Sequence, residues 1–175
     1  MTDWAKAMNP TSPLNAEADA LAAARASAIA IFLGVIWGIV GVVYMMTAGR
    51  EMMEAAVTAA STPETAGMAG MMAQAAMWMA VGMVVIQLIL GLVQWFKPNI
   101  VIPIIFVILV AFGLVSGIWG LMMANNPDLP AAAQTPMWQV AAGFAVMAVE
   151  LVLHIAGIRG ASALDRLRMQ AAQEY

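Results

Sequence analysis

The stretch AVELVLHIAG, residues 148–157, places Glu150 and the chain's only histidine, His154, four residues apart in an otherwise apolar run. On a helix, side chains four apart share a face and can touch. A charged acid at the centre of a bilayer costs about 2.5–3.5 kcal/mol on insertion scales, so such a residue is a functional hypothesis by default. Two chemistries fit it. In one, Glu150 binds a proton or cation, His154 relays it to the inner side and Gln87 supplies a facing polar group. In the other, Glu150 is a neutral clamp that fixes helix register by hydrogen-bonding Gln87, Ser116 or a backbone carbonyl. A metal suits the spacing of Glu150 and His154, but a closed site wants four ligands and no third strong one lies in the apolar segments. Haem between helices usually takes two histidines, and one is present.

Seventeen methionines raise a further possibility. MAGMMAQAAMWMAVGM (68–83) holds six and YMMTAGREMM (44–53) holds four. Thioethers are soft ligands for Cu(I), and Met68, Met71, Met72 and Met77 are the candidates. The competing reading is packing. Met45 and Met52 are seven apart, as are Met46 and Met53, and Met68, Met72, Met79 and Met83 form a helical stripe of flexible knobs. No histidine accompanies them, and the chain has no cysteine. That lack excludes disulfides, thiolate metal sites, a cysteine nucleophile and covalent haem attachment. No nucleophile–base pair, phosphate loop or twin acidic motif is present. The expectation is a non-enzymatic protein without a cofactor, and no basic cluster suggests nucleic acid.

The elements that hold these residues follow from composition. The 175 residues are 63% hydrophobic and 10% charged, against about 25% charged in a soluble domain. The expected fold is an all-α integral membrane protein, a bundle of four transmembrane helices. The spans lie at about 26–46, 75–96, 100–123 and 137–158, each long enough at 1.5 Å per residue. Pro98 and Pro103 flank the start of the third span, which suits a tight turn into a new helix. Lys6, Arg25, Lys97, Arg159, Arg166 and Arg168 fall on one side and only Arg50 on the other. The positive-inside rule then puts both termini and the Lys97 turn in the cytoplasm, with Trp78 and Trp138 at the outer interface and Trp95 at the inner one. The home expected is a cytoplasmic (inner) membrane, and the first apolar run reads as a retained span rather than a cleaved signal.

Outside the spans, residues 1–25 read as an irregular tail followed by a short helix capped by Asn15 and continuous with the first span. Residues 47–74 read as an outward extension of spans one and two into a helical hairpin, its tip at Ser61–Glu64, where the spacing suits a capping box. NNPDLPAAAQTP reads as an irregular connection, and residues 159–175 as a cytoplasmic segment whose short helix lies on the inner surface. A weak internal likeness, WGIVGVVY (37–44) on FGLVSGIW (112–119) and QLILGL (87–92) on ELVLHI (150–155), would relate two helical hairpins by an axis along the membrane normal.

Lipid offers no hydrophobic drive between helices, so small residues mark their contacts. Gly34 and Gly38 form a GxxxG in span one, Gly113 and Gly117 another in span three, and Gly143 and Gly157 share a face with Glu150 and His154 in span four. The polar residues thus face other helices, inside one bundle or across a homo-oligomer seam. The first functional expectation is a small accessory, scaffolding or assembly component, alone or in a larger membrane complex. The second is an oligomeric proton- or cation-coupled transporter or channel using Glu150, His154 and Gln87. Copper handling by the outer hairpin is third.

Overall fold

A computed structural model describes residues 4–47, 49–51, 54–55, 62, 68–124 and 136–173. Among them every regular element is helical: α1 (Trp4–Met8), α2 (Glu17–Met46), α3 (Ala69–Phe96), α4 (Val101–Ala124) and α5 (Met137–Gln173). Helices α2 to α5 are long and apolar enough to cross a membrane. They alternate in direction. One end of the bundle carries α1, the α3–α4 turn and the end of α5, and is called the terminal end. The opposite end carries Met46, Ala69, Ala124 and Met137 and is called the loop end.

The bundle is built on an antiparallel pair, α2 against α5, which makes the most extensive contact in the molecule. Small residues allow it. A Cβ at Gly160 would run into the backbone of Ala23 and Ala24, and one at Gly157 would lie 2.5 Å from the Ser27 Cβ. Along the same seam Gly34 meets Glu150 and Gly143 meets Trp37. Helix α3 packs on the other flank of α2, and α4 on the other flank of α5, giving the spatial order α3–α2–α5–α4. A two-fold axis relating the α2–α3 and α4–α5 hairpins would exchange the α2–α5 contact with an α3–α4 contact. The first is the largest in the structure, whereas α3 and α4 hardly touch although only residues 97–100 join them.

Local signals set the helix ends. Asn99 caps α4, its Oδ1 accepting from the backbone N–H of Val101 and Ile102, both at 3.0 Å. Pro103 falls in the first turn, where a missing N–H costs nothing. The turn is fastened by Gln94, whose Nε2 donates to the carbonyls of Ala24 (3.3 Å) and Asn99 (3.1 Å) and whose Oε1 accepts from the Asn99 N–H (3.3 Å). At the loop end, α2 stops where the Thr47 hydroxyl donates to the Val43 carbonyl at 2.8 Å and the N–H of Gly49 returns to the Tyr44 carbonyl, also at 2.8 Å.

Several expectations need correction. The N-terminal tail is not irregular throughout. It contains α1, and Ala7 and Leu14 are buried with Ala20, Ala22, Ala23, Ala163 and Leu164. An apolar patch left by α2 and α5 gives the tail something to cover. The N-cap of α2 is Ala16, without a side-chain cap, rather than Asn15. The C-terminal segment is no separate surface helix. Helix α5 runs unbroken for 37 residues, because Gly160, Ala161 and Ala163 keep it against α2 beyond the apolar stretch. Nor does α2 continue outward past Met46 without interruption, since Thr47 and Gly49 close it, although Arg50, Glu51, Glu54 and Ala55 are helical again. Helix α3 does extend, beginning at Ala69. The Ser61–Glu64 tip and most of NNPDLPAAAQTP lie outside the described residues.

Candidate functional site

Between the α2–α5 pair and the two flanking helices lies a cavity of about 180 Å³, lined from all four long helices. Helix α2 contributes Ile31 and Gly34, α3 Gln87, α4 Phe106, Leu109 and Val110, and α5 Met147 and Glu150. Because α3 and α4 are not packed on each other, the cavity is the floor of a lateral groove rather than a sealed chamber. Its lining is apolar except for Gln87 and Glu150.

Gly34 is what brings these two together. A Cβ at this position would lie 2.6 Å from the Glu150 Oε1 and 3.8 Å from the Gln87 Oε1. The missing side chain lets the carboxyl group reach across the seam to α2, where the Gln87 carboxamide approaches from the far flank. Among the described residues neither side chain makes a hydrogen bond. Both are half-buried; an apolar surrounding would make each unpartnered group cost about 1–3 kcal/mol from protein mutational data, a hydrogen-bonding requirement that the described helices leave unfilled.

His154 is not part of this groove. Its ring is fully buried, its Nδ1 is 2.8 Å from the Ser27 Oγ, and it stacks on Phe106 at 5.3 Å between centroids and 22° between planes. Its Nε2 is buried without a partner. Phe106 both lines the cavity and covers the imidazole, and no hydrogen bond joins Glu150 to His154. The expected Glu150–His154–Gln87 grouping therefore divides: Glu150 with Gln87, and His154 with Ser27. Ser116 is exposed on α4 and lines no part of the cavity.

The six glycines all occupy helix–helix contacts. Gly34 faces Glu150, Gly38 faces Val84 of α3, Gly113 and Gly117 receive Met147 and Phe144 of α5, and Gly143 and Gly157 receive Trp37 and Ser27 of α2. The four candidate methionines, Met68, Met71, Met72 and Met77, do not share one cavity among the described residues. Met77 lines a cavity of about 430 Å³ at the loop end with Met45, Met46, Arg50 and Glu54. Met68, Met71 and Met72 lie exposed outside it, as do Met79 and Met83, so the expected stripe of packing knobs is not an internal seam among the described residues. No group of three or more His, Asp or Glu side chains among the described residues is placed to hold a metal ion.

Three polar residues that fasten the helices around the site lie outside the expected grouping. Gln94 stands seven residues after Gln87, on the same polar face of its span, but its partners Ala24 and Asn99 have no signal in the sequence. Ser27 adjoins the row Ala26, Ala30, Gly34, Gly38, where a hydroxyl passes as one more small residue. Asn99 precedes the first span residue and reads as part of a turn. The chain matches no family model, no curated protein and no solved structure.

Proposed function

We propose that this is a small, non-enzymatic multi-pass protein of the cytoplasmic membrane, with both termini in the cytoplasm. We propose further that it acts as an accessory or assembly component by receiving a transmembrane helix in the groove between α3 and α4. One observation carries the reading. An acid and an amide from different helices meet over Gly34, at mid-span, in a groove open toward lipid, and neither has a partner among the described residues. A helix that brings a hydrogen-bond donor to Glu150 and Gln87 meets that requirement and covers the gap between α3 and α4. It comes from a second copy of this chain or from another subunit of a membrane complex.

A second reading rests on the cavity itself: Glu150 binds a proton or cation there and serves a transport cycle in an oligomer. The enclosure of His154 between Ser27 and Phe106 weighs against a relay from Glu150 toward the terminal end.

The cysteine-free sequence suits the test. Leu109→Cys places a thiol on the groove wall, and Ile89→Cys places one two residues past Gln87, on the opposite face of α3. Thiol cross-linking in membranes is expected to give an adduct from position 109 and none from 89, retained in Glu150→Gln and lost in Glu150→Leu. If position 109 gives no adduct and Glu150→Gln abolishes a cation- or pH-driven flux in proteoliposomes, the transport reading replaces the assembly reading.

A further inference from the structure

At the terminal end, where the apolar stretch of α5 gives way to charge, a cavity of about 430 Å³ is lined by Pro13, Leu14 and Asn15 of the N-terminal segment and by Ile158, Arg159, Ser162, Ala163 and Arg166 of α5. Arg159 and Arg166 are seven residues apart, so their guanidinium stems leave one face of the helix about 10 Å apart along its axis. Among the described residues no acidic side chain lines the cavity. The nearby acids of α2 are engaged elsewhere: Asp19 pairs with Lys6 at 3.6 Å and Glu17 with Arg168 at 2.9 Å. Asp165 points away from the face shared by Arg159 and Arg166, on the helical spacing. Arg159 uses one N–H on the Ser12 carbonyl at 3.0 Å, which aims its head group while leaving other donors free. Arg166 is exposed and makes no ion pair or hydrogen bond among the described residues. The Ser162 hydroxyl donates to the Ile158 carbonyl at 3.0 Å, so the donors facing the cavity are the two guanidinium groups and the Asn15 carboxamide.

From this arrangement we infer that the cavity is a binding site for the phosphate headgroup of an anionic glycerophospholipid. Above it, toward mid-span, the exposed side chains of Val152 and Ile155 continue the face on which Arg159 lies, forming an apolar track for an acyl chain. A site with cationic donors at its base and such a track leading out of it matches the two halves of a lipid. A basic pocket on the cytoplasmic side of a span is also where anionic headgroups are concentrated. Guanidinium groups suit the task because their planar forks pair with phosphate oxygens in two parallel hydrogen bonds.

This inference rests on the membrane reading above, and the test separates the two. The purified protein in detergent is titrated with phosphatidylglycerol, with phosphatidylcholine and with inorganic phosphate, and bound lipid is counted by native mass spectrometry. Phosphatidylglycerol is expected to bind in preference to phosphatidylcholine. Arg166→Gln, which breaks no internal bond, is expected to weaken it about five-fold, and Arg159→Gln by a similar factor. Lys97→Gln, which removes an equal charge at the same end, outside the cavity and outside any ion pair among the described residues, is expected to leave it unchanged. Equal binding of the two lipids, or an Arg166→Gln protein that binds phosphatidylglycerol as the wild type does, overturns the proposal. Displacement by millimolar inorganic phosphate overturns it in favour of a free-anion site. Failure of the membrane reading looks different: the chain would be released from membranes by alkaline carbonate without detergent.

Discussion

The hydroxyl of Ser27 and the Nδ1 of His154 meet at 2.8 Å across the α2–α5 seam, from positions 127 residues apart in the chain. Among the described residues this contact is the histidine's one hydrogen bond, since Nε2 has none. Ser27→Ala leaves both ring nitrogens unpartnered and is expected to destabilise the bundle by about 0.6–2 kcal/mol, read by titrating the protein with denaturing detergent. Adding His154→Phe to Ser27→Ala removes the orphaned groups and keeps an aromatic ring on Phe106, so the double variant is expected to recover most of that loss. A double variant no more stable than Ser27→Ala would show that the imidazole contributes something besides this pairing.

Gly160 and Gly120 make a matched pair of probes. A methyl at Gly160 meets the backbone of Ala23 and Ala24, which cannot move aside as a side-chain tip can, whereas one at Gly120 meets nothing within 4 Å. Gly160→Ala is expected to cost about 1–3 kcal/mol by forcing the helices apart. Gly120→Ala is expected to be neutral or to stabilise by up to about 1 kcal/mol through helix propensity. Equal melting temperatures for the two variants would contradict the close α2–α5 approach.

Gln94 ties α2, α3 and the α3–α4 turn together through one side chain. Gln94→Leu preserves volume but removes the link to the Ala24 carbonyl of α2 and strands the carbonyl and N–H of Asn99. A loss of about 1–3 kcal/mol is expected, with faster amide exchange at Asn99 as the local signature. Unchanged exchange there would mean that the turn is held by the Asn99 cap alone.

The N-terminal segment offers a local test. Trp4 stacks on Trp95 with centroids 6.3 Å apart and planes within 2°, and the Arg25 guanidinium lies 5.2 Å from the same Trp95 ring. Trp4→Ala is expected to speed tryptic cleavage after Lys6 severalfold while the main unfolding transition moves little. A large shift of that transition would make α1 part of the cooperative core.

Gly34 tests the groove without touching its acid. The group that a Cβ would meet there is the end of the flexible Glu150 side chain, so Gly34→Ala is expected to change stability by less than about 1 kcal/mol. It is nevertheless expected to reduce cross-linking from Leu109→Cys, because the carboxyl is displaced from Gln87. Unaltered cross-linking would separate partner binding from the Glu150 carboxyl position.

What the chain revealed before folding was set by how local the signal was. Four long apolar helices, their boundaries to within a few residues except where helices run on, and the contact glycines follow from run length and from the need for small residues at helix seams. Glu150 and Gln87 stood out because polar residues are rare in such runs. Their partners did not, because pairing depends on which helices adjoin. Nothing local distinguishes a spatial order α3–α2–α5–α4 from a square bundle. That order is what separates His154 from Glu150, since His154 turns to Ser27 on α2 and Phe106 on α4. The helix in the tail is hidden from the sequence for a related reason. Its Ala7 and Leu14 are too sparse to show periodicity, and they become buried only because α2 and α5 leave an apolar patch for them.

Helix α5 is 37 residues long, about 55 Å at 1.5 Å per residue, against a hydrocarbon thickness of about 30 Å. It contains no proline. Past Glu150 it stays clamped to its neighbours: Gly160 lies on the backbone of Ala23 and Ala24, Ala163 and Leu164 are buried with the N-terminal segment, and Arg168 pairs with Glu17. A tilt of α5 therefore carries α2 and α1 with it, and about 5° at Glu150 would move Gln173, some 23 residues away, by about 3 Å. On the assembly reading proposed above, a helix docked beside Glu150 would shift the whole terminal end as one block.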